Sequence, residues 1–282
     1  MASCPYQYYA QKILSIGASE WPDDEIDAGE IGTIWHKAIE LFHKQRNAQK
    51  PSKDREVFIK VLQTQFKLLC AENPRYWEVQ ERLLSYVDSF ILWWYARENE
   101  GWQVVQSEYS PSQNEFQSIR DENDQELHRV TWKGRIDEIQ ARDVGEADTD
   151  SGNAQWSLID FKSGNIQTFR SKIKNNEDIQ LAFYIQLIDS TQRDLVSSAY
   201  YVGVSKDGDS PCPEVALDDE KVSLQTQALN LYQQVHDLFL RMLQGQTLIA
   251  FGQAQGACGY CEYRAVCRKD YSFDLPSNTP KS

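Results

Sequence analysis

The stretch that decides the fold reads Trp156-Ser157-Leu158-Ile159-Asp160-Phe161-Lys162. Its apolar and β-branched residues indicate a buried strand that one acid and one base interrupt. Residues two apart in a strand point to the same face, so Asp160 and Lys162 should emerge together on one side of the sheet. This otherwise apolar setting makes the two charged residues candidates for a functional site.

A second apolar strand that contains an acid lies upstream and reads Gly134-Arg135-Ile136-Asp137-Glu138-Ile139. It could pair beside the first strand across a connecting loop of residues 143–154, so that Asp137 and Asp160 converge. Phosphodiester hydrolysis requires such groups, because paired carboxylates hold Mg²⁺ through hard oxygens. A neighbouring lysine can orient the attacking water and offset the charge of the phosphate.

The triplet Asp-x-Lys is not specific by itself. It occurs again at Asp219-Glu220-Lys221, in a wholly polar stretch that opens a predicted helix, where we interpret it as surface charge. For Asp160 and Lys162 the alternative is a cross-strand or exposed salt pair. The buried-strand context and the nearby Asp137 favour the catalytic interpretation.

Hydrophobic periodicity divides the chain into a mainly helical part, residues 20–100, and a sheet part, residues 101–205. Apolar side chains from Trp35 to Phe42 recur at the spacing of an amphipathic helix. The predicted helices cover residues 32–48, 54–72, 76–99, 177–189 and 218–244. The predicted strands, all but the last placed together in one sheet, cover residues 102–110, 114–120, 126–141, 156–162 and 196–205. This order predicts an α/β fold.

The composition is that of a globular protein, with 282 residues, 41% apolar residues and eight Trp to fill a core. We expect residues 1–271 to form a single domain and the Pro-rich, polar residues 272–282 to form a disordered tail. The longest strongly apolar run is too short to cross a bilayer, and the first residues do not resemble a secretion signal. We therefore expect a soluble, cytoplasmic protein without a membrane partner.

The net charge of -13 argues against a general nucleic-acid binder, since affinity for phosphate backbones depends mainly on Lys and Arg. The charge is unevenly spread, however. Residues 20–30 contain six acids and no base, whereas residues 161–176 contain four bases and no acid. Three of these bases, Arg170, Lys172 and Lys174, could meet a phosphate backbone, with a solvated loop as the alternative.

Three of the six cysteines, Cys258, Cys261 and Cys267, lie close together near the C-terminus. This clustering favours a metal or cluster site in a reducing compartment over a disulfide framework. Together with the distant Cys4 they can supply four thiolates to one centre. Thiolate geometry alone does not choose between structural zinc and an iron-sulfur cluster.

Six motifs, taken in order, make the chain resemble a known family. They are Cys4-Pro5-Tyr6, Gly32-x3-His36, Gly134-x2-Asp137, Asp160-x-Lys162-x-Gly164, Gln180-x3-Tyr184 and Cys258-x2-Cys261-x5-Cys267. The sequence resembles the PD-(D/E)xK nuclease superfamily, specifically the RecB-like branch that includes the C-terminal nuclease domain of AddB-type helicase-nuclease subunits. The resemblance implies a restriction-endonuclease-like core, in which helices flank a central mixed β-sheet. It also implies an added N-terminal helical region and a Cys-rich C-terminal staple.

The resemblance assigns roles at the site. His36, Asp137 and Asp160 would bind a catalytic Mg²⁺ or Mn²⁺, with the Phe161 carbonyl as a further ligand, and Lys162 would act on the water. Without the resemblance, we would interpret His36 as an ordinary residue on the polar face of a helix. An imidazole among carboxylates should make Mn²⁺ at least as effective as Mg²⁺.

Three further residues acquire a possible role in the same way. Glu108 lies where relatives often carry an additional acid, and the alternative is a solvated strand glutamate. Gln180 and Tyr184 are one helical turn apart and would line the site, positioning the lysine or DNA. Their alternative is simple packing of a largely apolar helix.

The resemblance also implies a [4Fe-4S] cluster held by Cys4, Cys258, Cys261 and Cys267, with structural zinc on the same ligands as the alternative. The cluster-binding segment, residues 255–270, would close onto Cys4. The function that the resemblance implies is a metal-dependent DNA nuclease, an exonuclease on single-stranded ends that works in repair or recombination with a helicase partner. The alternative is a catalytically idle iron-sulfur DNA-binding or scaffold domain of a helicase-nuclease complex.

Two features bear on a helicase partner. The sequence contains no Gly-x4-Gly-Lys-Ser/Thr phosphate loop, so we expect any motor to lie in another protein or domain. Because Cys4 lies only three residues from the start, we expect the chain to derive from the end of a larger protein.

Overall fold

A computed structural model describes residues 28–46, 50–111, 116–143, 154–163, 166–174, 179–203, 214–216 and 224–244, with residues 10, 14, 15, 26, 212 and 263 as isolated positions. The chain divides into two compact units, residues 24–236 and residues 1–23 together with residues 237–282. The sheet and the site described below lie in the first of these units. The predicted cluster ligands and the predicted tail lie outside the described residues.

The helices and strands follow an α/β order. The helices are α1 (Ala28–Gln45), α2 (Pro51–Glu72), α3 (Tyr76–Asn99), α4 (Ile166–Lys174), α5 (Gln180–Leu187) and α6 (Leu224–Leu243). The strands are β1 (Gln103–Tyr109), β2 (Phe116–Arg120), β3 (Glu126–Thr131), β4 (Ile136–Asp143), β5 (Ala154–Lys162), β6 (Val196–Gly203) and β7 (Glu214–Ala216). None of the described helices is both long and apolar enough to span a membrane.

Five of these strands form one mixed sheet in the order β1-β4-β5-β6-β7. The strands β5 and β6 are parallel, and the other neighbours are antiparallel. Helices lie against both faces, so the α/β architecture with a central mixed sheet that the sequence predicts is confirmed, and it is consistent with a restriction-endonuclease-like fold.

Strand alternation distributes the core between the two faces of the sheet. Ile159 and Phe161 of β5 pack with α1, α2 and α3, where the ring of Phe161 meets that of Phe90 edge-on at 5.9 Å. On the opposite face, Leu158 of β5 and Tyr201 of β6 pack with α5 and the first turns of α6. Asp160 and Lys162 have the same parity as Leu158, so they emerge on the α5 side.

The prediction of one strand over residues 126–141, in one sheet with its neighbours, is wrong. The chain instead forms β3, continues through residues 132–135 without strand conformation, and then forms β4. The strands β2 and β3 pair with each other in a separate two-stranded sheet. A Cβ atom at Gly134, in the connection, would lie 2.6 Å from Phe183 and 2.9 Å from Leu187. Only glycine fits this close passage under α5, which explains why Gly134 stands in the motif.

The helix α4 and the short strand β7 are not among the sequence-based predictions. In α4, Ile166 is buried, and Phe169 and Ile173 pack against the apolar cluster that includes Leu158 and Tyr201 on the α5 side of the sheet. Their spacing of i, i+3 and i+7 is helical, so the pattern was present in the sequence but masked by the basic residues between them. The stretch that carries Arg170 and Lys172 is therefore a helix rather than a loop, with both side chains exposed.

Candidate active site

Three carboxylates lie in a row across three neighbouring strands. In the antiparallel pairing of β1 with β4, Ser107 pairs with Glu138 and Tyr109 with Ile136, and this register places Glu108 opposite Asp137. In the pairing of β4 with β5, the register continued by one residue places Asp137 opposite Asp160. The structure thus brings together the two strand acids expected to converge and adds Glu108 to them.

Asp160 is held on the α5 side by a closed set of polar contacts. Its Oδ1 accepts hydrogen bonds from the Tyr184 hydroxyl at 2.5 Å and from Gln180 Nε2 at 2.7 Å. Its Oδ2 lies 2.6 Å from Lys162 Nζ, which donates to Gln180 Oε1 at 2.9 Å. Gln180 therefore contacts both Asp160 and Lys162, and Tyr184 contacts Asp160.

The ammonium of Lys162 also lies against two aromatic rings. Its Nζ is 4.9 Å from the ring centroid of Tyr201 and 5.1 Å from that of Phe169. Such contacts attract the ammonium electrostatically and fix its direction. Neither ring is among the site residues that the sequence predicts. The helical spacing of Phe169 with its apolar neighbours could have placed α4 beside the lysine.

His36, Glu108 and Asp137 form a group that could hold a metal ion. Each offers one ligand atom, and these atoms lie within 4.8 Å of one another. His36 Nε2 lies 3.5 Å from Asp137 Oδ2 and 2.8 Å from the Phe161 carbonyl oxygen. Two ligands of a small divalent cation at right angles are about 3 Å apart. The spacing therefore fits a shared cation, and the one-nitrogen, mainly oxygen donor set suits Mg²⁺ or Mn²⁺.

Asp160 does not belong to that group, although the sequence analysis proposes it as a ligand. One of its oxygens faces Tyr184 and Gln180. The other, Oδ2, is buried and accepts no hydrogen bond from the described residues, despite its contact with Lys162. Asp160 therefore keeps one acceptor atom within the row of acids that a cation could use.

Glu108 reaches the row through an unusual backbone conformation. It adopts a positive φ of 55°, and the register of β1 shifts between Val104 and Gln106. A left-handed backbone costs a residue other than glycine on the order of 1 kcal/mol, and such strain clusters at functional sites. The solvated glutamate considered as the alternative does not describe this side chain, which is only 15% exposed.

The surroundings of Asp137 disfavour its charged form. Burial raises the pKa of Asp137 well above its ordinary value, and the charge of Asp160 raises it further. The Phe161 backbone N–H, which donates to Asp137 Oδ2 at 2.9 Å, opposes this rise. Burial, followed by the charge of Asp160, also raises the pKa of Tyr184, so its hydroxyl remains a donor.

The remaining sequence-based candidates are placed only in part. Arg170 and Lys172 are exposed on α4, where Lys172 Nζ lies 5.4 Å from the ring of Phe169. The side chain of Lys174 lies outside the described residues, as do the four cysteines Cys4, Cys258, Cys261 and Cys267.

Acids that could hold a cation, next to a fixed lysine on neighbouring strands of a mixed sheet, are the arrangement used by metal-dependent hydrolases of phosphodiesters. The comparison of the sequence with protein families narrows this class. The family described as the PD-(D/E)XK nuclease superfamily matches residues 1–268, and the chain belongs to that superfamily. Membership implies a metal-dependent nuclease. No curated protein matches the chain.

Proposed function

We propose that the protein is a metal-dependent DNA nuclease, an exonuclease on single-stranded ends that works in cytoplasmic DNA repair or recombination with a helicase partner. The observation that carries the proposal is the row of Glu108, Asp137 and Asp160 beside Lys162. The resemblance to the RecB-like and AddB-like nucleases supports the choice of DNA and of a helicase partner.

His36, Glu108, Asp137, Asp160 and the Phe161 carbonyl are the proposed ligands of Mg²⁺ or Mn²⁺. The bound ion would act as a Lewis acid that activates water and offsets the charge of the phosphate. The Phe161 backbone N–H fixes Asp137, and the Phe161 carbonyl lies against His36. One residue of β5 thus orients two of the proposed side-chain ligands.

Lys162 is the proposed catalytic cation. Its contacts with Asp160 Oδ2 and Gln180 Oε1 hold the ammonium beside the acidic row, where it would orient the attacking water and stabilise charge on the phosphate. Tyr184 and Gln180 hold Asp160 in turn. They act through Asp160 and Lys162, so we class them as positioning residues.

DNA contact is proposed for α4, which follows the active strand. Arg170 and Lys172 are exposed there, and Lys174 is the third base of the same stretch. Neutralising all three should weaken binding to single-stranded DNA and flatten its dependence on salt. The overall charge of -13 makes a basic partner, such as a helicase subunit, a natural source of further affinity.

A [4Fe-4S] cluster on Cys4, Cys258, Cys261 and Cys267 is the proposed staple of the chain. Tying Cys4 to Cys258 would close a loop over most of the sequence, worth on the order of 5 kcal/mol in loop entropy. Purified protein with about four iron and four sulfide per chain, the content of such a cluster, would support it. Stoichiometric zinc without iron would establish the alternative.

Cleavage of end-labelled single- and double-stranded DNA, and of RNA of the same sequence, tests the function. With Mn²⁺ we expect cleavage of single-stranded DNA that a chelator abolishes. Lys162→Ala and Asp160→Ala should each lower the rate by about 10³-fold, the scale of removing one transition-state contact. Lys221→Ala, in the second Asp-x-Lys triplet, is the matched control and should cleave as the wild type does.

Other outcomes of this cleavage experiment would contradict the proposed function. Metal-independent cleavage, or equal activity in Lys162→Ala, Asp160→Ala and wild type, would reject this active site. Tight DNA binding without cleavage by any variant would establish the idle scaffold instead.

A further inference from the structure

Arg135, in the connection before β4, lies at the solvent side of the acidic row. Its Nε is 2.6 Å from Glu108 Oε2, and its side chain is 61% exposed while that of Glu108 is 15% exposed. Neither the family match nor the motif spacing assigns Arg135 a role, because the motif requires only Gly134 and Asp137.

The contact between Arg135 and Glu108 brings the charges together without a hydrogen bond. Glu108 Oε2 is buried and accepts no hydrogen bond from any described residue. A guanidinium offers five N–H donors in a planar fork that matches the oxygens of a phosphate. Because Arg135 is mostly exposed, part of this fork faces solvent, where a ligand can reach it.

Lys162 is placed differently from Arg135. Its ammonium is only 17% exposed, and it already contacts Asp160, Gln180 and two rings. A phosphate that approaches from solvent meets three carboxylates at this site, with Arg135 as the exposed cation beside them. An anionic substrate needs such a group to reach an acidic row.

We propose that Arg135 binds a backbone phosphate of the nucleic acid next to the metal site, and that Glu108 occupies its place until a cation binds. With Glu108 as a ligand, its charge would be shared with the cation and its hold on Arg135 would weaken. The guanidinium of Arg135 would then be available to the phosphate. This inference rests on the proposed function, since it requires a phosphodiester substrate and a divalent cation at the site.

Binding of a fluorescent single-stranded oligonucleotide, followed by anisotropy, tests the proposal. All variants carry Lys162→Ala so that Mn²⁺ can be added without cleavage. Arg135→Gln should weaken binding about 10-fold in Mn²⁺ and less than about 2-fold in a chelator, and it should reduce the salt slope by about one. Arg135→Lys should retain the charge and lose part of the affinity.

The matched control is Arg55→Gln. Arg55 forms an exposed pair with Asp88 on the helices α2 and α3, so its substitution removes the same charge elsewhere on the surface. It should leave binding unchanged. Equal weakening by Arg55→Gln and Arg135→Gln would show an effect of net charge alone and would overturn the proposal, as would no weakening by Arg135→Gln.

A second pair of variants tests the exchange between Glu108 and the phosphate. Glu108→Gln should strengthen DNA binding in the chelator, because it releases Arg135 without a cation. The gain should disappear in the double variant Glu108→Gln/Arg135→Gln, and a gain that persists there would contradict the exchange. Cleavage by the parent protein, measured separately, decides the proposed function independently of these binding results.

Discussion

Asp137 and Glu138 are adjacent acids on β4, but they lie on opposite faces of the sheet and in opposite circumstances. Asp137 stands in a row of like charges, and its pKa is raised by burial and by Asp160. Glu138 is fully buried, yet it lies 2.8 Å from His43 Nε2 and accepts a hydrogen bond from Gln140 Nε2 at 2.7 Å. Asp137 therefore has other acids as neighbours, whereas Glu138 has two polar partners.

The face of the sheet that carries Glu138 contains a network of polar side chains that hydrogen-bond to one another. Arg97 donates to Gln140 Oε1 at 2.9 Å and to Ser157 Oγ at 3.0 Å, and it lies 4.5 Å from the ring of Trp102. A network whose members all find partners fixes a structure, whereas a site short of positive charge is prepared for a ligand. Burial of an acid therefore does not identify a functional site, whereas the partners of the acid do.

Both faces depend on one helix. His36 and His43 lie seven residues apart on α1, about two turns, so they lie on one side of it. His36 contacts the Phe161 carbonyl at 2.8 Å, and His43 contacts Glu138 at the same distance. The structural contact therefore fixes the helix that carries a proposed ligand.

The largest effect on stability is expected on the face of the sheet that carries Glu138. His43→Ala removes a partner of the buried Glu138 and should lower the free energy of unfolding by about 3 kcal/mol. Chemical denaturation measures it. His128→Ala, on an exposed strand position, is the control and should change the value by less than about 0.5 kcal/mol. A loss below about 1 kcal/mol for His43→Ala would show that Glu138 does not depend on this contact.

A smaller effect of opposite sign is expected on the other face. Asp137→Asn removes a buried charge from the acidic row but can still accept the Phe161 N–H. In a chelator it should raise the free energy of unfolding by about 1 kcal/mol, as relief of functional strain often does. A destabilised Asp137→Asn would mean that the carboxylate serves stability and not a ligand.

The smallest effect is a dependence on pH. The pKa of Asp137 is higher in the folded than in the unfolded chain, so the folded state holds the proton more tightly. Its contribution to stability is present below the ordinary carboxylate pKa and is lost as the pH rises through the raised pKa. Thermal unfolding in a chelator should show this loss in the wild type and a weaker loss in Asp137→Asn. Identical profiles would exclude Asp137 as the titrating group.

The sequence predicts much of the site because its parts lie within single elements. Asp160 and Lys162 share a strand face, and Gln180 and Tyr184 share a helix face, so periodicity alone places each pair. The sequence does not reveal that Asp137 joins Glu108 and Asp160 while Glu138 joins a polar network with His43, because that depends on which elements cover each face.

The fold is predicted less well where a close approach decides it. The break between β3 and β4 follows from the contact of Gly134 with Phe183 and Leu187, residues about fifty positions later. The contact of Arg135 with Glu108 likewise joins the connection before β4 to β1. Contacts between distant residues set these features, and local patterns do not record them.

Titration of the chelator-treated protein with Mn²⁺, followed by the electron spin resonance of the free ion, tests the comparison and the metal site together. The variants are Asp137→Asn and Glu138→Gln, adjacent and nearly isosteric changes that each remove one buried charge. We predict that Asp137→Asn weakens binding by at least about 10-fold, the scale of lost metal-site contacts, and that Glu138→Gln binds as the wild type does. Equal binding by both variants would contradict the assignment of the metal site to the acidic row.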